Sequence, residues 1–257
     1  MGRSLWALRS LCPDAAARLR LFAVYLALFA GGVATQSSGR AYRLRLRLDG
    51  RDRDWWVADA GELSALWEVF IAEHYGDHLP AQASLILDVG ANTGVATIWL
   101  RGRYPQARII AVEPNPATAA RLRRNLRDEP GIEIVEAAVS DVDGSVSLTT
   151  SGSTSLSRMT TEDRGDAVTV TSLTLDSLLD RQVPGGEDVD LLKLDTEGGE
   201  WPILRGPLGR FAAVVVEIHE PTADRRSPEA VLAEVGEREG LRVVPGRWPE
   251  IRWLLRR

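Results

Sequence analysis

From residue 84 onward the sequence alternates short apolar runs with stretches of helical period. Strands separated by helices bury both faces only in a parallel sheet wound on both sides, so this pattern admits few folds. Residues 85–89, 108–113, 132–136, 189–194 and 212–218 read as the strands. After the first, a helix begins near Gly94 with Val95, Ile98 and Trp99 on one face. Asn115 is placed to cap a second helix, opened by Pro116, whose Ala119, Leu122 and Leu126 face inward. Another opens at Ser227-Pro228, and residues 241–244 and 251–255 flank Pro245-Gly246-Arg247 as a closing antiparallel pair. The expected class is α/β: a doubly wound sheet, mostly parallel, with the last strand antiparallel. With 257 residues, 44% apolar and 26% charged, the chain can bury a large core and is too apolar for wholesale disorder. Its single cysteine, Cys12, excludes an internal disulfide and a multi-thiolate metal site.

Ahead of this pattern lie two other kinds of sequence. Residues 42–48 alternate strictly, Asp49-Gly50 turns, and residues 54–57 resume, which predicts a β-hairpin with one buried face. Leu63, Leu66, Trp67, Phe70 and Ile71 then recur at helical spacing up to His74 and Tyr75, a lead-in helix. Residues 21–34 are uncharged and follow four arginines, Arg3, Arg9, Arg18 and Arg20. That run is short for a membrane span. The expectation is an N-terminal helix that packs or makes peripheral membrane contact through residues 15–34, in preference to a cleaved or spanning segment, on a cytoplasmic protein. The division expected is 1–40 basic and apolar, 41–80 hairpin and lead-in helix, and 81–257 the main domain. Residues 1–40 carry five arginines against Asp14, so the net −5 of the chain leaves −9 on residues 41–257. An acidic body repels phosphate, which argues against a nucleic-acid partner. A polar passage at residues 149–161 interrupts the alternation and is expected to be a substrate-facing loop.

Chemistry concentrates at two points. Asp88-Val89-Gly90-Ala91-Asn92-Thr93-Gly94 stands where the first strand turns into its helix. Glycines there allow a tight turn and close approach to a ligand. Glu113 ends the second strand, where a carboxylate can accept two hydrogen bonds from a ribose diol. A dinucleotide site would need glycines spaced G-x-G-x-x-G to cradle a pyrophosphate, and position 92 is Asn. The pocket suits a cofactor without phosphate and with a zwitterionic end, which is the shape of S-adenosylmethionine. The plain alternative is a tight turn in which Asp88 bonds backbone amides.

The second point is Lys193-Leu194-Asp195-Thr196-Glu197-Gly198-Gly199-Glu200, where ionisable groups converge at one strand end. Lys193 is the only lysine among thirty arginines, which suggests a need for a compact ammonium. Glu197 and Glu200 equally suit the start of the next helix.

Asp-Val-Gly-Ala-Asn-x-Gly at 88–94, Val-Glu-Pro at 112–114, Leu-Thr-Leu-Asp at 173–176 and Leu-Lys-Leu-Asp-Thr-Glu-Gly-Gly-Glu at 192–200 together resemble the FkbM family of S-adenosylmethionine-dependent methyltransferases. The resemblance covers about residues 62–220, with Leu194 where Ile is frequent and Gly199 where Ala is. It implies a Rossmann-like methyltransferase domain that transfers methyl to a hydroxyl of a glycan or small natural product. By match to the family's motifs, Asp88, Gly90, Ala91, Asn92 and Gly94 would line the methionine end of the cofactor, Glu113 the ribose, and Asp195 the border with the acceptor. Methyl transfer to oxygen requires a base. Asp195 and His219 are both candidates, with Lys193 and Glu197 beside them. Asp195, Glu217 and Glu220 could instead hold a divalent cation, ranked below plain acid–base catalysis because no ligand spacing marks it, so no metal is expected. A nucleic-acid methyltransferase, a non-catalytic scaffold of the same fold and an NAD-dependent oxidoreductase are the rivals.

Overall fold

A computed structural model of the chain describes residues 2–29, 41–149, 158–160, 167–219 and 226–257. Its elements run α1 (Gly2–Leu8), α2 (Ala15–Phe29), β1 (Tyr42–Leu48), β2 (Arg51–Val57), α3 (Ala60–Phe70), β3 (Leu85–Val89), α4 (Val95–Arg103), β4 (Arg108–Val112), α5 (Pro116–Leu126) and β5 (Ile132–Val135). There follow β6 (Ala138–Ser140), β7 (Gly144–Thr149), β8 (Arg158–Thr160), β9 (Ala167–Thr174), α6 (Leu175–Gln182), β10 (Val189–Leu194), α7 (Glu200–Leu204), β11 (Phe211–Glu217), α8 (Pro228–Glu239), β12 (Leu241–Pro245) and β13 (Ile251–Arg256).

The main sheet has the order β12-β13-β11-β10-β3-β4-β5. β11, β10, β3, β4 and β5 are parallel, while β13 lies antiparallel between β11 and β12. Period-two alternation sends neighbouring residues of each central strand into opposite cores. Ile86, Ile109, Leu191 and Val215 join one cluster, and Leu87, Ile110, Leu192 and Val216 the other. From β3 the chain steps outward to β4 and β5, then returns through β10 on the other side of β3. The order therefore reverses between β3 and β10, and the crevice outside their carboxyl ends is where such sheets bind ligands.

Local signals act as expected at the helix ends. The Asn115 side chain accepts from the amides of Ala117 (3.0 Å) and Thr118 (3.4 Å) at the start of α5. In the hairpin, Asp49 and Gly50 both take positive φ, as a two-residue turn between strands demands. Leu44, Leu46, Leu48 and Trp55 are buried in the same cluster as Ile98, Trp99 and Trp253. Asn125 ties this hairpin to the main domain: its amide pairs with Trp56 N and O (2.9 and 3.2 Å) and donates to Thr93 O (3.0 Å).

Two expectations change. Residues 149–161 are not simply a loop: Thr149 ends β7 and Arg158–Thr160 forms β8, in a second sheet of order β6-β9-β7-β8. Its strands are rich in Ser, Thr and Val, and their buried apolar residues are divided between a small cluster of Ala138, Leu148 and Val170 and the main core, which takes Val139 and Leu173, so their alternation in sequence is weak. Residues 150–157 and 161 lie outside the described residues. The expected membrane association through the N-terminal apolar segment is not supported. No helix among the described residues is long and apolar enough to cross a membrane. Instead Ala17, Leu21 and Val24 of α2 are buried in the hairpin's cluster, with α2 packed on β1 and α3. Residues 30–34 of that segment lie outside the described residues.

Candidate active site

Gly90, Asn92 and Gly94 all have left-handed backbone between β3 and α4. Gly90 N and Ala91 N both donate to Val112 O at 3.0 Å, so the turn is pinned across to the end of β4. A Cβ on Gly90 would stand 1.6 Å from the Asp195 carbonyl, and one on Gly94 2.8 Å from a Leu122 methyl. These two glycines therefore serve close packing of protein on protein. Glu113, just past β4, is buried, and its oxygens accept from Asn92 N (3.0 Å) and Asn115 N (2.9 Å). Burial pushes this carboxyl up to about 7, against the lowering effect of the two amides.

A cleft of about 610 Å³, counting its open mouth, lies beside Glu113. One wall is apolar: Val112, Pro114, Ala137, Val139 and Leu148. Gly90, Asn92, Glu113, Asp195, Thr196 and Glu197 line it as well. Asp88, Ala91 and Gly94 stand behind the lining instead of in it. Asp88 is fully buried because β3 is central and covered on both faces. Its Oδ2 accepts from the Thr97 hydroxyl (2.6 Å), and Oδ1 lies 3.1 Å from Lys193 Nζ.

Lys193 is likewise buried, and its ammonium donates to Gly90 O (3.1 Å) while lying 3.1 Å from Asp88 and 3.5 Å from Asp195. Burial alone would lower its affinity for a proton, but Asp88 and Asp195 overcome this and hold it above the ordinary lysine range. An ammonium so placed is a permanent cation that fastens the ends of β3 and β10 together.

Asp195 follows β10 at the cleft and is a quarter exposed. Its Oδ2 accepts from the Tyr75 hydroxyl at 3.0 Å, and the same hydroxyl lies 2.7 Å from Glu217 Oε2 at the end of β11. Burial, with the Asp195 charge, pushes Glu217 up to about 8. Glu200, fully buried, accepts from Thr196 N (2.7 Å) and Gly198 N (3.1 Å), so it folds the turn after Asp195. It also holds His219 Nδ1 at 3.1 Å, while His219 Nε2 lies 3.6 Å from Glu197. Burial would lower this imidazole, but the hydrogen bond and charge of Glu200 push it up to about 9. His219 is thus a cation at neutral pH with donors on both nitrogens, and with Lys193 it offsets the charge of Asp195, Glu197 and Glu200. Glu220 lies outside the described residues. Tyr75 is the site residue that sequence reasoning missed: it meets Asp195 across 120 residues, and no spacing marks it.

The sequence model described as Methyltransferase FkbM domain matches residues 88–242, more than half of the chain. The chain belongs to the FkbM methyltransferase family. It is 30% identical over 213 residues to methyltransferase sdnD of Sordaria araneosa, covering 68% of this chain and 82% of that protein. It is 29% identical over 195 residues to methyltransferase 1 of Beauveria bassiana, covering 66% and 78%. Among solved structures, it is similar to Aeropyrum pernix fibrillarin in complex with S-adenosyl-L-methionine, with 15% identity, a TM-score of 0.47 and coverage of 88% of this chain and 85% of that chain.

This FkbM methyltransferase depends on S-adenosylmethionine, and the chemistry of the cleft fits that group. Each Glu113 oxygen uses one lone pair on a backbone amide and keeps another for a diol. Asn92 Oδ1 is a buried acceptor with no partner among the described residues, beside the turn where a cationic amine would be received. The apolar wall suits a flat aromatic ring. Tyr75, His74 and Glu250 stand outside the matched span of residues 88–242, so the FkbM domain is completed by flanking sequence.

Proposed function

We propose that this FkbM methyltransferase methylates a hydroxyl oxygen of a glycan or small natural product. The reading rests on one observation: a carboxylate, Asp195, stands in the same cleft as Glu113 with one oxygen already held and the other, Oδ1, left for an acceptor. Bound S-adenosylmethionine supplies an electrophilic methyl carbon on a positively charged sulfur. Glu113 would hold its ribose, Gly90 and Asn92 its amino-acid end, and the wall of Pro114, Ala137 and Leu148 its adenine. Asp195 would orient the acceptor hydroxyl and take its proton at Oδ1 as the oxygen's electron pair bonds to the methyl carbon, whose bond to sulfur breaks and leaves its electron pair on a neutral thioether. Asp195 is preferred over His219 as base because His219, clasped by Glu200, already carries its proton at neutral pH. Lys193 and Glu200 act by position, one steadying Asp195 and the other the turn behind it. Carboxylates at the cleft, Glu113, Asp195 and Glu197, favour a neutral hydroxylic acceptor over a polyphosphate one.

The test begins with calorimetry using S-adenosylmethionine, and absence of binding to the unmutated chain removes the proposal. Methyl-labelled cofactor is then incubated with extracts fractionated into glycan, lipid and small-molecule pools, and the labelled product is analysed by NMR. An O-methyl product is expected; a methyl on nitrogen or carbon overturns it.

A further inference from the structure

A hydroxyl owns a single hydrogen, yet Tyr75 Oη lies within hydrogen-bond distance of two carboxyl groups, Asp195 Oδ2 at 3.0 Å and Glu217 Oε2 at 2.7 Å. If both were ionised, one of these contacts would set two acceptors against each other in a buried place, which costs more than a lost hydrogen bond. Tyr75 cannot escape by ionising, since burial and its two acidic neighbours hold it well above the ordinary tyrosine range. The arrangement therefore needs one more proton than the hydroxyl itself provides.

We propose that Glu217 is neutral and donates to Tyr75, that Tyr75 donates to Asp195, and that this chain confines the negative charge to Asp195 at the cleft. The geometry decides which carboxyl keeps the proton. Asp195 has the Lys193 ammonium at 3.5 Å and the cleft at its open side, both of which favour charge. Glu217 is the more enclosed of the two, and its neighbours are Asp195, Tyr75, Lys193, the His219 cation at 3.9 Å from Oε1, and His74 Nδ1 at 3.9 Å from Oε2. Burial and the Asp195 charge raise it to about 8, against the lowering effect of the His219 and Lys193 cations. Tyr75 and Glu217 are positioning residues: neither lines the cleft, and both set which Asp195 oxygen is free and how much charge it carries. When Asp195 takes a proton at Oδ1, Tyr75 keeps its own on Oδ2, so no second transfer is needed in the methyl step.

The catalytic consequence rests on Asp195 being the base, but the proton count does not, and the test uses neither cofactor nor acceptor. The full chain is labelled with ¹³C at glutamate carboxyls and titrated by NMR from about pH 5 to about pH 10. One glutamate resonance is expected to titrate near 8, to be missing in Glu217→Gln, and to move to lower pH in Tyr75→Phe, where the neutral acid loses the hydroxyl that accepts its hydrogen. A second, near 7, is expected from Glu113. The inference is overturned if the unmutated protein shows fewer than two glutamates titrating above about pH 6, since Glu113 accounts for one of them. It is equally overturned if the resonance near 8 survives Glu217→Gln. The unmutated titration decides the matter even if a variant does not fold. Failure here leaves the methyl-transfer reading in place, and a chain that binds no S-adenosylmethionine can still show the titration.

Discussion

Glu113 meets the cleft through backbone amides no more than 21 residues away, whereas Asp195 is held by a tyrosine 120 residues distant that is shared with Glu217. The cofactor end is made mostly of backbone: a left-handed turn, two strand ends and a single acid between amides. The end around Asp195, where we propose that the acceptor binds, is made of side chains from separate segments, Tyr75, Lys193 to Glu200, and Glu217 with His219, and their charges depend on one another. A turn whose donors are amides has one titrating acceptor, Glu113, but a cluster whose donors are acids and an imidazole changes its hydrogen bonds with every proton gained or lost. Binding should thus be separable from turnover in this protein, and the two ends should respond differently to substitution and pH.

The sharpest break is Asp195→Asn. Turnover is expected to fall about a hundredfold to ten-thousandfold, the range of a lost general base, while the calorimetric Kd for S-adenosylmethionine changes little; a parallel loss of both would merge the two ends. Gly90→Ala should damage both together. Its Cβ would fall 1.6 Å from the Asp195 carbonyl at φ +79°, and a loss of about 3 kcal/mol or more, read from urea unfolding midpoints, is expected.

Glu113→Gln comes next, with cofactor Kd rising about tenfold to a hundredfold, the value of one or two hydrogen bonds to a charged acceptor. The pH dependence of binding refines it. Glu113 sits near 7 in the free protein, and only its ionised form accepts from both hydroxyls of a diol. Affinity should rise as pH increases through about 7 and flatten above; Glu113→Gln should abolish that slope. The same raised acid binds its proton more tightly folded than unfolded, so its contribution to stability is present below its ordinary value near 4.5 and lost as pH climbs through 7. Smallest of all should be Arg47→Ala on the hairpin, whose exposed pair with Asp52 at 2.6 Å should leave both the urea midpoint and cofactor binding unmoved.

What could be read from the chain alone follows the same division. Strands β3, β4, β10 and β11, the Asn115 cap, the hairpin and the Gly90–Asn92–Gly94 turn leave local marks, because periodicity, capping and left-handed glycines act within a few residues of themselves. Glu113 was legible because it closes a strand. The small sheet of β6 to β9 was not, since its Ser- and Thr-rich strands divide their apolar residues between two clusters and so alternate poorly. The apolar N-terminal run was recognisable as a helix but not as one that packs on the hairpin, because apolar sequence states only that a face must be covered and leaves its cover unnamed.

Sequence by itself thus determined the strands of the main sheet, the hairpin and the left-handed turn after β3, all of which depend on residues close together along the chain. Only the tertiary structure decided how the ionisable groups divide their work. It put Lys193 beneath the cleft as a fixed cation, gave Glu200 the task of folding a turn, and brought Tyr75 from outside the matched domain to sit between Asp195 and Glu217. The reason is that burial and the charges alongside set a side chain's proton affinity and free lone pairs, and those neighbours come from anywhere in the chain.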